Sequence, residues 1–383
     1  MSWNKVPIKT ICKGIYDGPH ATPPESSSGA VFLGIPNFIN GQLDLSNIRY
    51  ISEQDLPKWT KRVTPQPNDI VFSYEATLNL YAIIPKGFWG CLGRRMALIR
   101  VDEKKADYKF LYYYFYSPAW RSVIQEHTVT GATVDRIPLV SFPDFLVELP
   151  DLTTQRRIAS ILSAYDNLIE NNRRQIKLLE EAAQRLYREW FVELRFPGHE
   201  SVKVVDGVPE GWKIETVGSL LRKIPRTKQV LTSDYQVSGN IPIVDQSRDF
   251  IAGYTNDTDA CVKPQDAIIV FGDHTRILKY ITFPFAKGAD GTQLIVSNSD
   301  CMPQSLFYFS IIHIDLTNYH YARHFKYLKE STILVPTKSI ANAYDNIVHP
   351  IMKRIQVLRN SCVKAKEVRD RLLPKLMSGE MEV

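Results

Sequence analysis

TTQRRIASILSAYDNLIENNRRQIKLLEEAAQRLYREWFVEL (Thr153–Leu194) contains no Gly and no Pro, and its apolar residues recur at helical spacing. With Ile158 at heptad position a, Ile158, Tyr165, Asn172, Leu179 and Leu186 share that position, and Ile161, Leu168 and Ala182 fall at d. Leu162, Ile169 and Ile176 widen the stripe at e. The pattern predicts one amphipathic helix of ~40 residues and ~60 Å with a coiled-coil-like seam. Asp151, Thr153 and Thr154 are N-cap candidates, and Pro197-Gly198 ends the helix. Asn172 is polar on the seam, so it either fixes the register of a helix pair or faces solvent.

The same pattern returns near the C-terminus. A shift of 186 places Pro150 on Pro336, and Val147 and Leu149 on Ile333 and Val335. The seam then lands on Tyr344, Ile347, Ile351, Leu358, Ala365, Val368 and Leu372. The tetrapeptide AYDN also occurs twice, at Ala164 and Ala343, but one heptad out of this register, so it is a coincidence inside a real duplication. Upstream, Trp3, Ile8 and Ile11 match Trp212, Val217 and Leu220 at a shift of 209. PNDIVFSYEA (Pro67–Ala76) resembles PQDAIIVFGD (Pro264–Asp273), each a turn followed by an apolar strand. KFLYYYFYS (Lys109–Ser117) resembles QSLFYFSII (Gln304–Ile312), a buried helix in both copies.

The expected fold is α+β: two globular regions of mixed α/β structure joined by two long antiparallel helices, related by an internal pseudo-twofold. The expected boundaries are 1–150, 151–196 (central helix), 197–336 and 337–383 (C-terminal helix and tail). Pro350 cannot sit in a helix interior without cost, so the second long helix should start or kink there.

Composition narrows the class. The chain has 383 residues, enough for two domains, with 44% hydrophobic and 23% charged residues. Its five cysteines are scattered without a Cys-x-x-Cys pair, which argues against zinc and disulfide frameworks and fits a reducing cytoplasm. The N-terminus lacks the apolar core of a signal peptide, and no apolar run approaches ~18 residues, so no membrane partner is expected. The segment Ile351–Met377 holds eight bases and two acids, which is either a face for an acidic partner such as DNA or a solvated helix surface.

LYREWFVELRFPGHE (Leu186–Glu200) and VPEGWKIETVGSLL (Val208–Leu221) resemble the central region of specificity subunits of type I restriction-modification systems. RDRLLPKLMSGEMEV (Arg369–Val383) resembles that family's C-terminal signature. IVFGDHTRILKY (Ile269–Tyr280) with FAKGADGTQL (Phe285–Leu294) is similar to one recurrent type of its target recognition domain. The family usually has Pro-Pro-Leu before its first long helix, where this chain has LPDL (Leu149–Leu152). The resemblance implies a non-catalytic subunit that reads a bipartite, asymmetric site in double-stranded DNA with two target recognition domains, here 1–150 and 197–336. It implies two modification (methyltransferase) subunits and restriction/translocase subunits as partners. S-adenosylmethionine, ATP and Mg are then expected on those partners, with no cofactor in this chain. A competing reading is a coiled-coil protein-binding adaptor without sequence-specific DNA recognition.

Motif absences agree with a non-catalytic chain. There is no phosphate-binding G-x-x-x-x-G-K-[ST], no Asn/Asp-Pro-Pro-aromatic motif and no His or Cys spacing suited to a metal. Base reading needs donors and acceptors on rigid projections. In the second globule, Gly272–Arg276 is a loop tip between two apolar strands and carries His274, Thr275 and Arg276; Lys279, Lys287 and Gln293 lie on neighbouring segments. The plain alternative is a turn capped by Asp273. In the first globule, Arg94 and Arg95 open a strand, and the loop His127–Arg136 offers Thr130 and Arg136. Its counterpart His320–Lys329 is basic and offers Arg323 and Lys326 for phosphates or as ordinary surface charge. Tyr112, Tyr113, Tyr114 and Tyr116 could stack bases, but as a run in a helix they read as core.

Overall fold

The computed structural model describes residues 3–131, 134–225, 227–317 and 323–383. Of the two candidate DNA loops, Ala132, Thr133, His320, Tyr321 and Ala322 lie outside the described residues. The chain divides into two compact units, Met1–Glu170 with Val363–Val383, and Asn171–Cys362. Strands and helices are mixed in both, as expected for α+β.

In the first unit, strand Asn4–Pro7 pairs antiparallel with Leu146–Leu149, Asn4 opposite Leu149. A 3-10 turn, Ile8–Ile11, follows and buries Ile8 and Ile11. The main sheet has the order Cys12–Asp17, Met96–Val101, Ile70–Ser73, Tyr81–Ile83, all antiparallel. Helices Tyr108–Tyr114 and Pro118–His127 belong to the same core, capped by Asp107 and Ser117. Phe72 stacks on Phe142 at 4.8 Å, and Trp120 donates to the Tyr81 hydroxyl at 2.8 Å. The tyrosine run is core. Tyr112, Tyr113 and Tyr116 donate to Gly41 O, Asp166 and Tyr81 O, and the Tyr114 hydroxyl accepts from Glu148 N.

The second unit repeats this frame. Strand Lys213–Thr216 pairs antiparallel with Thr332–Val335, Lys213 opposite Val335. The two strand pairs are thus one pair, displaced by 209 on one strand and 186 on the other. A 3-10 turn, Val217–Leu220, again follows the first strand. Strand Ile268–Gly272 lies between Leu278–Ile281 and Thr292–Ile295, both antiparallel to it. A second sheet is built on Phe285–Gly288, which runs parallel to Gln229–Val230 and to Ile241–Val244. Helix Gln304–Ile312 is buried almost throughout, as its counterpart is.

The central helix spans Leu152–Tyr187 and passes into a π-helical turn, Arg188–Val192. Asp151 caps it, accepting from Thr153 N at 2.9 Å and Thr154 N at 3.1 Å. The C-terminal helix spans Lys338–Met377, so it begins well before Pro350 and runs through it. Proline at that point leaves the Asn346 carbonyl without its usual i+4 donor, a cost that the flanking apolar stripe offsets.

That stripe corrects the heptad frame. On the central helix the inward residues are Ile158, Leu162, Tyr165 and Ile169 in the first unit, then Asn172, Ile176, Leu179, Ala183 and Leu186 in the second. On the C-terminal helix they are Tyr344, Val348, Ile351, Ile355 and Leu358, then Ala365, Arg369, Leu372 and Leu376. The expected d residue Leu168 is 42% exposed, and Ile347 and Val368 are exposed as well. At about 100° per residue, Leu168 sits about 120° round the helix from Leu162 and about 100° from Ile169, outside the buried stripe.

The two helices run antiparallel, as the pairs within each unit show. In the first unit Asp166 pairs with Arg369. In the second, Asn172 Nδ2 donates to Ser361 Oγ at 3.0 Å, and Arg359 pairs with Glu180 at 2.7 Å. Asn172 is only 4% exposed, so it is a buried register-setting contact rather than a solvent-facing one.

Candidate nucleic-acid interface

In the second unit, strand Ile268–Gly272 delivers a tight loop. Gly272 N donates to Ile277 O at 2.9 Å, and Arg276 N to Gly272 O at 2.8 Å. His274, Thr275 and Arg276 are exposed on it. Arg276 has φ +63°, a left-handed conformation that costs a non-glycine residue about 1 kcal/mol. Its guanidinium donates to Leu316 O at 3.2 Å.

Gln246, which the sequence reading missed, stitches this loop to the turn at Lys287–Gly291. Its Oε1 accepts from His274 N at 3.1 Å, its backbone O from the Thr275 hydroxyl at 2.6 Å, and its Nε2 donates to Asp290 O at 3.1 Å. Gly291, at φ +66°, is required: a Cβ there would meet the His274 ring at 2.7 Å.

Asp273 is buried and does not cap its own loop. Its Oδ1 accepts from Phe325 N at 2.7 Å, and its carbonyl accepts from His324 N and Nδ1. It therefore holds the first turn of helix His324–Glu330 and brings Arg323 and Lys326, both exposed, to the loop at His274–Arg276.

Lys279 is the exception among the expected contacts. Its side chain is 4% exposed, and its Nζ donates to Asp249 O and lies 3.8 Å from Asp245. Burial lowers its pKa, with Asp245 and Asp249 opposing the shift. It cannot reach a groove, because its strand is covered on both faces. Lys287 and Gln293 are half-buried and share a cleft with Thr227 and Gln229.

In the first unit, Arg94 and Arg95 form the turn before strand Met96–Val101 rather than its first residues. Arg95 has φ +75°, and its Nε lies 3.4 Å from Glu75. Val129 pairs with Arg136, and Arg136 bridges in turn to Glu75 in the same segment. Thr130 and Arg136 are exposed, so all four expected residues gather at the end of strand Ile70–Ser73. Two more side chains join them from distant sequence. His20 Nδ1 lies 3.3 Å from the Tyr74 hydroxyl, His20 Nε2 lies 3.0 Å from Asp17, and Arg62 lies 2.5 Å from Asp17. Burial, then the carboxylates of Asp17 and Glu75, raise the Tyr74 pKa.

The basic C-terminal helix divides by use. Arg359 and Arg369 make interhelical ion pairs, and Lys375 lies 3.7 Å from Glu380. Lys353, Arg354, Lys364, Lys366 and Arg371 are exposed. No group of His, Cys, Asp and Glu among the described residues could hold a metal, and no described helix is long and apolar enough to cross a membrane.

Comparison with known proteins agrees with this architecture. The sequence-family model for the type I restriction modification DNA specificity domain matches residues 3–181. The specificity subunit of the type I restriction enzyme MjaIX of Methanocaldococcus jannaschii is 24% identical over 374 residues, covering 89% of this chain and 85% of that protein. The EcoR124I/EcoR124II specificity subunit of Escherichia coli is 29% identical over 100 residues, 26% of this chain and 24% of that protein. The crystal structure of the S subunit of a type I restriction-modification system from M. genitalium shares the fold, with a TM-score of 0.66 at 16% identity, covering 98% of this chain and 96% of that one. Residues 3–181 thus match the type I restriction modification DNA specificity domain, and the chain is similar along most of its length to specificity subunits of type I restriction enzymes.

Proposed function

We propose that the chain reads a bipartite, asymmetric DNA site, one half with residues 1–150 and the other with residues 197–336. The two long helices set the number of unread bases between the halves. The chain itself carries no chemistry; it scaffolds two modification subunits, which supply S-adenosylmethionine and adenine-N6 methylation, and restriction subunits that use ATP and Mg. The observation that carries this reading is the frame repeated in register, Asn4 opposite Leu149 and Lys213 opposite Val335, under loops that differ. Identical frames give equivalent placement on a duplex, and different loops give different base preferences.

The contacts proposed for the first half are Arg94, Arg95, Thr130 and Arg136, with His20 and Arg62 beside them. Those for the second are His274, Arg276, Arg323 and Lys326, with Thr275, Lys287 and Gln293 at their margin. Lys279 is excluded by its burial. The test is methylome sequencing of a host carrying the chain with its modification subunit. One methylated motif of two unlike halves around a fixed gap is expected; a single continuous motif, or no sequence preference, contradicts the reading.

A further inference from the structure

Two adjoining depressions in the second unit, of about 520 and 460 Å³, share Ile224, Pro225 and Thr227 and so form one cleft. Arg222, Lys223 and Lys263 line one end, and Lys287 with Gln229 and Gln293 the other. Among the described residues Asp266 is the only acid on its walls, and that carboxylate lies 3.7 Å from His349. Among the described residues none of the four cations has an ion-pair partner. Elsewhere in the unit Lys228 pairs with Asp257 at 2.6 Å, Lys338 with Asp300 at 2.8 Å and Arg359 with Glu180 at 2.7 Å.

Unpaired cations gathered along one groove repel one another, and half-burial of Lys287 adds a desolvation cost. Its pKa is lowered by burial alone, with no carboxylate to offset it. Such an arrangement is stabilised by a bound anion. The cations are spread over two joined depressions instead of converging on one point, which suits a chain of single negative charges better than one compact anion. Thr227, Gln229 and Gln293 add neutral hydrogen-bonding groups along the way.

We propose that this cleft is a phosphodiester track: it holds the backbone of one DNA strand through Arg222, Lys223, Lys263 and Lys287, without reading bases. The proposal rests on the chain binding DNA, and assigns to the cleft an affinity role distinct from the reading loop at Gly272–Arg276.

The test measures duplex affinity against NaCl concentration for the full chain assembled with its modification subunit. Wild type is compared with the double variants Lys263→Gln/Lys287→Gln and Arg222→Gln/Lys223→Gln, on a duplex bearing the methylated motif and on an unrelated duplex of equal length. Each phosphate contact removed should flatten the log–log salt slope by about 0.9, so about 2 for each double variant, and should weaken both duplexes alike. Lys263→Arg/Lys287→Arg, which keeps the charge, should restore the slope and guards against a folding defect. An unchanged slope overturns the proposal, as does a loss of sequence preference at unchanged slope, which would make these residues base readers. Inorganic phosphate that displaces duplex more than chloride of equal ionic strength would assign the cleft to a free phosphate and overturn it too. A wild-type assembly that binds neither duplex would instead sink the DNA-binding reading on which the proposal stands.

Discussion

At the scale of single residues, Asp273 joins two segments that the sequence keeps far apart. Its carboxylate and carbonyl hold the start of helix His324–Glu330 against the loop at His274–Arg276. Asp273→Ala should cost about 1–2 kcal/mol, the loss of a helix cap, and Asp273→Asn, which keeps an acceptor, should cost less. Urea unfolding reads that cost. Methylome sequencing of the alanine variant should show degeneracy in one half-site only; degeneracy in both would contradict the assignment of this loop. The exposed loop tip was legible because Gly272 and a charged run interrupt two apolar strands. Gln246 was not legible, since its role comes from three hydrogen bonds across the fold, and neither was the burial of Lys279, since strand alternation does not show which strands are covered on both faces.

The buried phenols give a second residue-scale expectation. Burial raises the pKa of Tyr81, Tyr112, Tyr280 and Tyr344, and raises that of Tyr114 and Tyr308 to about 12. Up to pH ~10 these groups are neutral folded and unfolded. Above it the unfolded chain loses protons that the folded chain keeps, so stability falls as pH rises from ~10 toward 12. Lys279 and Lys287, whose pKa values burial lowers, act in the opposite direction as pH rises toward their unfolded value, but they are outnumbered. Ultraviolet titration should show these tyrosines ionising only as the chain unfolds; ionisation near pH 10 in the folded chain would contradict their burial.

At the scale of elements, both long helices were legible from period and from the lack of breakers, but the exact inward face was not. Leu168, Ile347 and Val368 fit an apolar heptad on paper, and only the packed partner shows that the stripe passes beside them. Arg369 is the reverse case, a charged residue on the inward stripe that meets Asp166, their side chains 19% and 17% exposed. Arg369→Ala leaves that carboxylate with only the Tyr113 hydroxyl and should cost about 2–3 kcal/mol, whereas Asp166→Leu with Arg369→Met and Tyr113→Phe should come close to neutral. Chemical denaturation separates the two; equal losses would show that the pair itself stabilises the helices. Pro350 shows the limit of residue rules: a proline expected to start or kink a helix is tolerated in its interior where a long apolar stripe continues on both sides of it. Inserting four residues into the central helix should lengthen or abolish the spacer while leaving the bases of each half-site unchanged, as methylome sequencing would show.

At the scale of the molecule, the duplication was the most legible feature, because the frame repeats where burial constrains it. Trp3, Ile8 and Ile11 and their counterparts Trp212, Val217 and Leu220 occupy the same places beside the same strand pair. The loops between carry no such constraint, so their lengths and contacts diverge and individual base contacts cannot be read from residue order. The division of labour proposed here follows from that contrast: a conserved geometry for placement, and variable loops for choice. Its most direct test is methylome sequencing after residues 212–335 are exchanged for the equivalent segment of a related specificity subunit. One half of the methylated motif should change to the relative's, with the other half and the spacing untouched; a change in both halves, or in neither, would contradict the two-reader architecture.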